Sequence, residues 1–433
     1  MTLIEWLEKL WRQHPVTVDL GLDRLRVVAK RLALLSCPIA PRVITVAGTN
    51  GKGSTVTMID AIVRSSGLRC GTYMSPHLRR YNERVKVQGE PVSDACFIRA
   101  FERIEAARLA PGQSAVSLSY FETGTLAAAL IFQDAALDVA VFEVGLGGRL
   151  DAVNLFDADV GVVTTIGVDH VGFLGDDLAT IGREKAGILR AGKAAVLGSS
   201  LLPTSVHDVA TQLPVARCCQ LGVEFSRSEA LTSANTWSWQ GLNANNEQVV
   251  FEALPDPGLP LDNAATAIQA SWLALGHLDA QQVQHALVTV QLPGRLQWIG
   301  HWCLDVAHNP HAADYIARYF KRRDEQAGRR ISRLALLGML GDKDAEGVVK
   351  ALSPVIDGWV VASLSGERAR QAATLVNIIE QQGGRVEATF DDVSSAVAWC
   401  QQASHFDEIL VCGSFHTVSE ALDVLMPLSE MGS

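Results

Sequence analysis

From Arg42 to about Asp169, short apolar runs that end in glycine-rich turns alternate with longer stretches of helical periodicity, the pattern of parallel β/α units. The clearest strands are expected at Val43 to Ala47, Val139 to Val144 and Val160 to Ile166. Between Cys218 and Leu254 the chain turns polar, Asn-rich and Trp-containing, with short alternating runs such as Val249-Val250-Phe251, which predicts an antiparallel insert or sheet edge. Leu292-Pro293-Gly294 marks an expected domain boundary. Beyond it a second alternating series predicts strands at Trp302 to Val306, Leu334 to Leu337, Trp359 to Ala362 and Ile409 to Cys412, without a G-x-G-x-x-G dinucleotide fingerprint. At the start, Leu3, Leu7 and Leu10 recur at helical spacing with Glu5 and Glu8 between them, an amphipathic helix whose acids a secretory signal would not tolerate.

Composition narrows the class. A chain of 433 residues is long for one hydrophobic core, so two or three domains are expected. With 48% apolar and 19% charged residues and no long uninterrupted apolar run, it reads as a soluble globular protein with no membrane span. None of the eight cysteines forms a C-x-x-C pair, which favours reduced thiols and a cytoplasmic setting over a disulfide framework or a structural zinc. A net charge of -10 argues against a general nucleic-acid surface, so anionic ligands need local basic groups.

One segment supplies them. Gly48, Thr49, Asn50, Gly51, Lys52, Gly53, Ser54 and Thr55 form a glycine-rich turn between a strand and a helix expected to start near Ser54. Glycines let backbone N–H groups approach phosphate oxygens, the helix start adds positive potential, and Lys52 reaches the terminal phosphates. Gly53 occupies the place after the lysine where a phosphate loop usually carries Ser or Thr, so either Ser54 or Thr55 is left to meet Mg²⁺. No N-K-x-D tetrapeptide for guanine occurs, which makes ATP the expected nucleotide.

Glu143 ends an apolar strand and, in a parallel sheet, faces the crevice where ligands bind; its carboxylate suits Mg²⁺. His170 stands at the end of the next strand, and Ser75 supplies a hydroxyl in the loop Tyr73-Met74-Ser75-Pro76. Lys185, on its residue type alone, is a solvated helix lysine. Arg79, Arg80, Arg84 and Lys86 are either a solvated face or include one partner for a carboxylate. His308 and His311 have helical spacing, but Pro310 between them makes a metal pair a poor reading.

Taken together, GTNGKGS (Gly48 to Ser54), SPHL (Ser75 to Leu78), EVGLGGRLDAVN (Glu143 to Asn154), Asp169-His170 with GREKAGIL (Gly182 to Leu189) and DVAHNPHA (Asp305 to Ala312) resemble the folylpolyglutamate synthase family, relatives of the Mur peptide ligases. VDLGLDR (Val18 to Arg24) and VCGSFHTV (Val411 to Val418) are similar to its bacterial bifunctional branch. The resemblance implies an α/β chain with a P-loop Mur-ligase-like domain over 1–292 and a smaller Rossmann-like C-terminal domain over 293–433, with ATP held between them. It implies that Ser75, Glu143 and His170 arrange Mg²⁺, that Lys185 is carbamylated into a metal ligand, and that Asn263 and Arg295 contact ATP. Asp305 and His308 are assigned to the nucleotide region, and Asp151, Tyr120 and Phe121 to the pterin side. The implied activity is ATP-dependent ligation of L-glutamate to dihydropteroate and to reduced folates; the domain layout requires no partner chain, so a monomer is expected. A Mur-type ligase lacks the SPHL and VDLGLDR pattern, and a nucleotide switch is told apart by ATP turnover without acceptor.

Overall fold

The computed structural model describes residues 1–427 except 15, 17, 18, 229–235, 244, 367 and 404, so Val18 of the VDLGLDR block lies outside the described residues. The chain divides into two compact units, Met1–Gln291 and Leu292–Ser433.

The first unit is built on eight strands: β1 (Arg42–Ala47), β2 (Cys70–Tyr73), β3 (Val85–Val87), β4 (Glu90–Pro91), β5 (Val139–Glu143), β6 (Val160–Val163), β7 (Ala194–Leu197) and β8 (Arg217–Gln220). Their spatial order is β4-β3-β2-β5-β1-β6-β7-β8. From β2 to β8 every neighbour pair is parallel, and only β3 and β4 run antiparallel at one edge. Helices cover both faces of such a sheet, which is why β5 is buried at every residue and reads as continuous Val-Ala-Val-Phe rather than alternating. The expected strand from Val160 to Ile166 stops at Val163. Beyond it the hydroxyls of Thr164 and Thr165 and the Thr165 carbonyl turn to the loop after β1, so the backbone leaves the ladder.

The expected antiparallel region is also shifted. Cys218 and Cys219 belong to β8, which continues the parallel sheet beside β7. The antiparallel part is a separate three-stranded sheet of β9 (Ser226–Arg227), β10 (Thr236–Leu242) and β11 (Gln248–Pro255), in the order β11-β10-β9. Trp239 and Phe251 from this sheet meet Trp272 of the helix Leu261–Leu275, with the two indoles stacked 5.9 Å apart. The first helix, Leu3–Gln13, buries Leu3, Trp6 and Leu10 and is closed by a capping box between Thr2 and Glu5.

The second unit has strands β12 (Gln297–Ile299), β13 (Trp302–Leu304), β14 (Arg333–Leu337), β15 (Gly358–Ala362), β16 (Val386–Phe390) and β17 (Glu408–Cys412), ordered β12-β13-β17-β14-β15-β16. All pairs are parallel except β12 with β13. β13 ends at Leu304, short of Val306, because the Asp305 carboxylate takes the N–H groups of Leu296 and Ala307 and bends the chain. β16 carries no fully buried residue, and so it has no apolar signal to read. Among the described residues no helix is long and apolar enough to cross a membrane.

One core feature of this unit is ionic. Arg333, fully buried on β14, donates to Glu408 Oε2 at 2.8 Å and Asp324 Oδ1 at 2.7 Å and lies 4.4 Å from the Phe320 ring centre. Glu408 also pairs with Arg323, so removing it leaves Arg333 with Asp324 alone and Arg323 without that carboxylate, at a cost of up to roughly 3–5 kcal/mol. Glu408→Leu is therefore expected to lower the urea midpoint sharply. The double variant Glu408→Leu with Arg333→Met should recover part of that loss, and equal midpoints for the single and double variants would contradict this account.

Candidate active site

The site is assembled at the carboxyl ends of β1, β2, β5 and β6, where parallel strands deliver their loops to one edge of the sheet. After β1 the backbone passes through Gly48 at φ +151° and Gly51 at φ +84°. A Cβ at Gly48 would run into the Thr164 hydroxyl, and one at Gly51 would stand 2.7 Å from Asn263 Oδ1. Gly51 caps the helix Lys52–Ser65, which therefore begins at Lys52 rather than near Ser54 and points its positive end at the turn.

Two lysines converge here. Lys52 Nζ donates to the carbonyls of Gly48 (3.1 Å) and Thr49 (3.3 Å), and Lys185 Nζ donates to the same Gly48 carbonyl at 3.0 Å. Both line a pocket with Asp169, His170, Gly48, Thr49 and the Gly145-Leu146 turn. Lys185 rides on the helix Leu178–Ala186 and is only 5% exposed, which corrects its reading as a solvated lysine. Burial, reinforced by the charge of Lys52, lowers its amine to about 7, while Asp169 and Asp151 pull the other way.

Of the other expected metal residues, Glu143 and Ser75 pair with each other, and His170 lies beside Asp169. Glu143 is 6% exposed at the end of β5, and its Oε2 accepts the Ser75 N–H at 3.2 Å across the β2–β5 edge. His170 adopts φ +53° as cap of the short helix Val171–Leu174, with its Nε2 4.0 Å from Asp169 Oδ2. Among the described residues no three His, Cys, Asp or Glu side chains gather as a ready metal cluster. The buried Glu143 carboxylate and the Ser75 hydroxyl are nonetheless hard oxygen donors of the kind Mg²⁺ takes, and His170 adds an imidazole nitrogen. Of the two candidate hydroxyls, Ser54 donates to Gly51 O at 3.0 Å and accepts from Asn263 Nδ2 at 2.8 Å, and Thr55 is fully buried. Asn263, expected at ATP, thus also braces the start of the loop's helix.

Of the residues expected on the pterin side, Asp151 is 2% exposed and its oxygens accept the N–H groups of Leu146 (2.8 Å) and Val153 (3.0 Å), closing the Gly145–Gly148 turn. Burial raises its carboxyl to about 6 against those bonds and the nearby Lys185. The Phe121 ring packs on Gly145, where a Cβ would come within 2.6 Å of Phe121 Cζ. Tyr120 is turned elsewhere, edge-on to Trp11 and Tyr81, with the Arg84 guanidinium 5.5 Å from its ring centre. Sequence reasoning missed the clamp behind this pair. Arg24 joins Asp19 to the buried Glu122, which also accepts the Ser119 N–H, so the N-terminal segment is tied to the helix Tyr120–Asp134. The VDLGLDR block signalled Arg24, but nothing in spacing signalled a partner 98 positions away.

In the second unit, Arg295 lies 5.0 Å from the Phe415 ring centre and His308 packs on the same ring at 6.3 Å. Asp305 is 8% exposed; burial raises its carboxyl, opposed by the Arg295 charge. The structure therefore gathers Arg295, Asp305 and His308, and adds Phe415 to them.

Residues 294–415 match the family described as Mur ligase, glutamate ligase domain. The chain is 42% identical over 427 residues to the Escherichia coli (strain K12) dihydrofolate synthase/folylpolyglutamate synthase, covering 98% of this chain and 95% of that protein. The Haemophilus influenzae protein of the same name is 38% identical, covering 96% of each. The structure of E. coli FolC in complex with DHPP and ADP superposes with a TM-score of 0.89 at 40% identity, covering 98% of both chains. A Yersinia pestis bifunctional folylpolyglutamate synthase/dihydrofolate synthase complexed with AMPPNP and Mn ion gives 0.87 at 41% identity, again covering 98% of both. The chain belongs to the dihydrofolate synthase/folylpolyglutamate synthase family.

Proposed function

We propose that this chain joins L-glutamate to dihydropteroate, forming dihydrofolate, and to the γ-carboxylate of reduced folates, forming folylpolyglutamates, with ATP as the source of activation. The observation that carries this reading is the convergence of Lys52 and the buried Lys185 on Gly48 O, beside Asp169 and His170. An amine does not displace hydroxide from a carboxylate, so the acceptor acid must first gain a better leaving group. Its carboxylate oxygen attacks the γ-phosphorus of ATP, ADP leaves, and an acyl phosphate forms. The glutamate amine then adds to the acyl carbon and phosphate departs, leaving the amide.

Lys52, leading the helix, offsets negative charge as the phosphoryl group moves. Glu143, Ser75, His170 and a carbamylated Lys185 would hold Mg²⁺, which when bound supplies positive charge to the phosphoryl oxygens. Lys185 is suited to carbamylation because an amine lowered to about 7 has a substantial unprotonated fraction near neutral pH, and that form can attack CO₂. Asp151, Phe121 and Tyr120 are read as the pterin side, and Asn263, Arg295, Asp305 and His308 as the nucleotide side. We read residues 1–292 as the ATP-binding domain and 293–433 as the glutamate-ligase domain of a cytoplasmic monomer.

Purified protein given MgATP, L-glutamate, bicarbonate and either dihydropteroate or tetrahydrofolate is expected to release ADP and a product heavier by one glutamyl unit with each acceptor. ADP release with no conjugate would overturn the ligase reading. Lys52→Ala should lose roughly a hundredfold or more in kcat. Lys185→Ala should be inactive and partly restored by a short-chain carboxylic acid. The carbamate has its own pH signature: at fixed dissolved CO₂ its formation rises as pH climbs through about 7, because only the unprotonated amine reacts. ¹³C spectra with labelled bicarbonate should show this carbonyl signal in the parent protein and lose it in Lys185→Ala.

A further inference from the structure

The phosphate loop and the segment that carries His170 are spliced together by an unusual density of bonds. The Thr49 N–H donates to Thr165 O at 2.6 Å, the Asn50 N–H to Thr165 Oγ1 at 3.2 Å, and Thr164 Oγ1 to Asn50 O at 2.7 Å. At the centre, Thr49 Oγ1 donates to Gly167 O at 3.0 Å and accepts the Gly167 N–H at 3.0 Å. A single hydroxyl thus grips both polar groups of one residue, three positions before His170. His170 itself sits in a left-handed conformation that a non-glycine residue rarely adopts without support from its surroundings. The Thr49 side chain therefore fixes where the His170 segment begins relative to the loop.

We infer that Thr49 is a positioning residue for the metal, with its hydroxyl transmitting the setting of the phosphate loop to His170. Backbone groups of the loop, not this hydroxyl, are the part shaped to receive phosphate, so the two roles separate. Loss of the hydroxyl should leave nucleotide binding in place and loosen His170. This rests on reading His170 as a metal ligand.

The test compares Thr49→Val, which keeps the shape, with Thr49→Ser, which keeps the hydroxyl. ADP affinity is measured calorimetrically in the presence of EDTA, and Mn²⁺ affinity for the AMPPNP complex by electron paramagnetic resonance. Thr49→Val should bind ADP within about twofold of the parent and Mn²⁺ about tenfold more weakly, the scale expected for two lost hydrogen bonds. Thr49→Ser should restore Mn²⁺ affinity. Unchanged Mn²⁺ affinity in Thr49→Val, or a parallel fall in ADP and Mn²⁺ affinity, overturns the inference. In the unsubstituted protein, ADP with EDTA should also slow amide exchange across residues 167–170; no change there overturns it as well. His170→Ala separates the two readings. If it binds Mn²⁺ as the parent does, the ligand assignment fails; if it weakens Mn²⁺ while Thr49→Val does not, only the role of Thr49 fails.

Discussion

A loop that receives a triphosphate has to hold its shape with bonds that do not run through the ligand, and the first unit is organised around that constraint. Asn263 holds Ser54 at the helix start, Thr164 and Thr165 hold Asn50, and two lysines share the Gly48 carbonyl. The lysines are like charges drawn to one acceptor in a buried setting. Burial first, and then repulsion from the other ammonium, draws the amine of the less solvated partner down from its ordinary range. That partner is Lys185, so the same geometry that shapes the loop also makes one amine easier to deprotonate.

The parallel sheet makes this arrangement economical of structure. Gly48 follows β1, Ser75 follows β2, Glu143 ends β5 and Asp169 follows β6. Residues as far apart in sequence as Gly48 and Lys185, 137 positions, reach hydrogen-bond distance because the loop after β1 and the last turn of the helix Leu178–Ala186 meet at the carboxyl edge of the sheet. The second unit repeats the device on a smaller sheet, where Arg295, Asp305, His308 and Phe415 gather at the start of β12 and the ends of β13 and β17.

Much of this was legible in the chain, for identifiable reasons. Glycines at φ values that favour them, an apolar run ending in Glu143, and strands buried on both faces all leave marks at fixed spacing. What was not legible depends on long-range burial. Lys185 looks like any helix lysine until the fold closes over it, and β16 has no apolar periodicity because it is a partly exposed edge. The early end of β6 was hidden for another reason. Thr164 and Thr165 suit a strand by their β-branching, and only the competing acceptors on the phosphate loop draw them out of the ladder. Likewise, Tyr120 and Phe121 are adjacent in sequence, yet as successive helix positions they face different neighbours.

The helix Leu261–Leu275 has a consequence of a different kind. Asn263 at its start touches Ser54, and about two and a half turns later Trp272 stacks on Trp239 with their ring planes 14° apart. Two indoles this close can couple their strong far-ultraviolet transitions, a source of circular dichroism that isolated tryptophans lack. One helix therefore connects the phosphate loop to a built-in chromophore pair, so any tilt of that helix would register in the unlabelled protein as a change in ellipticity.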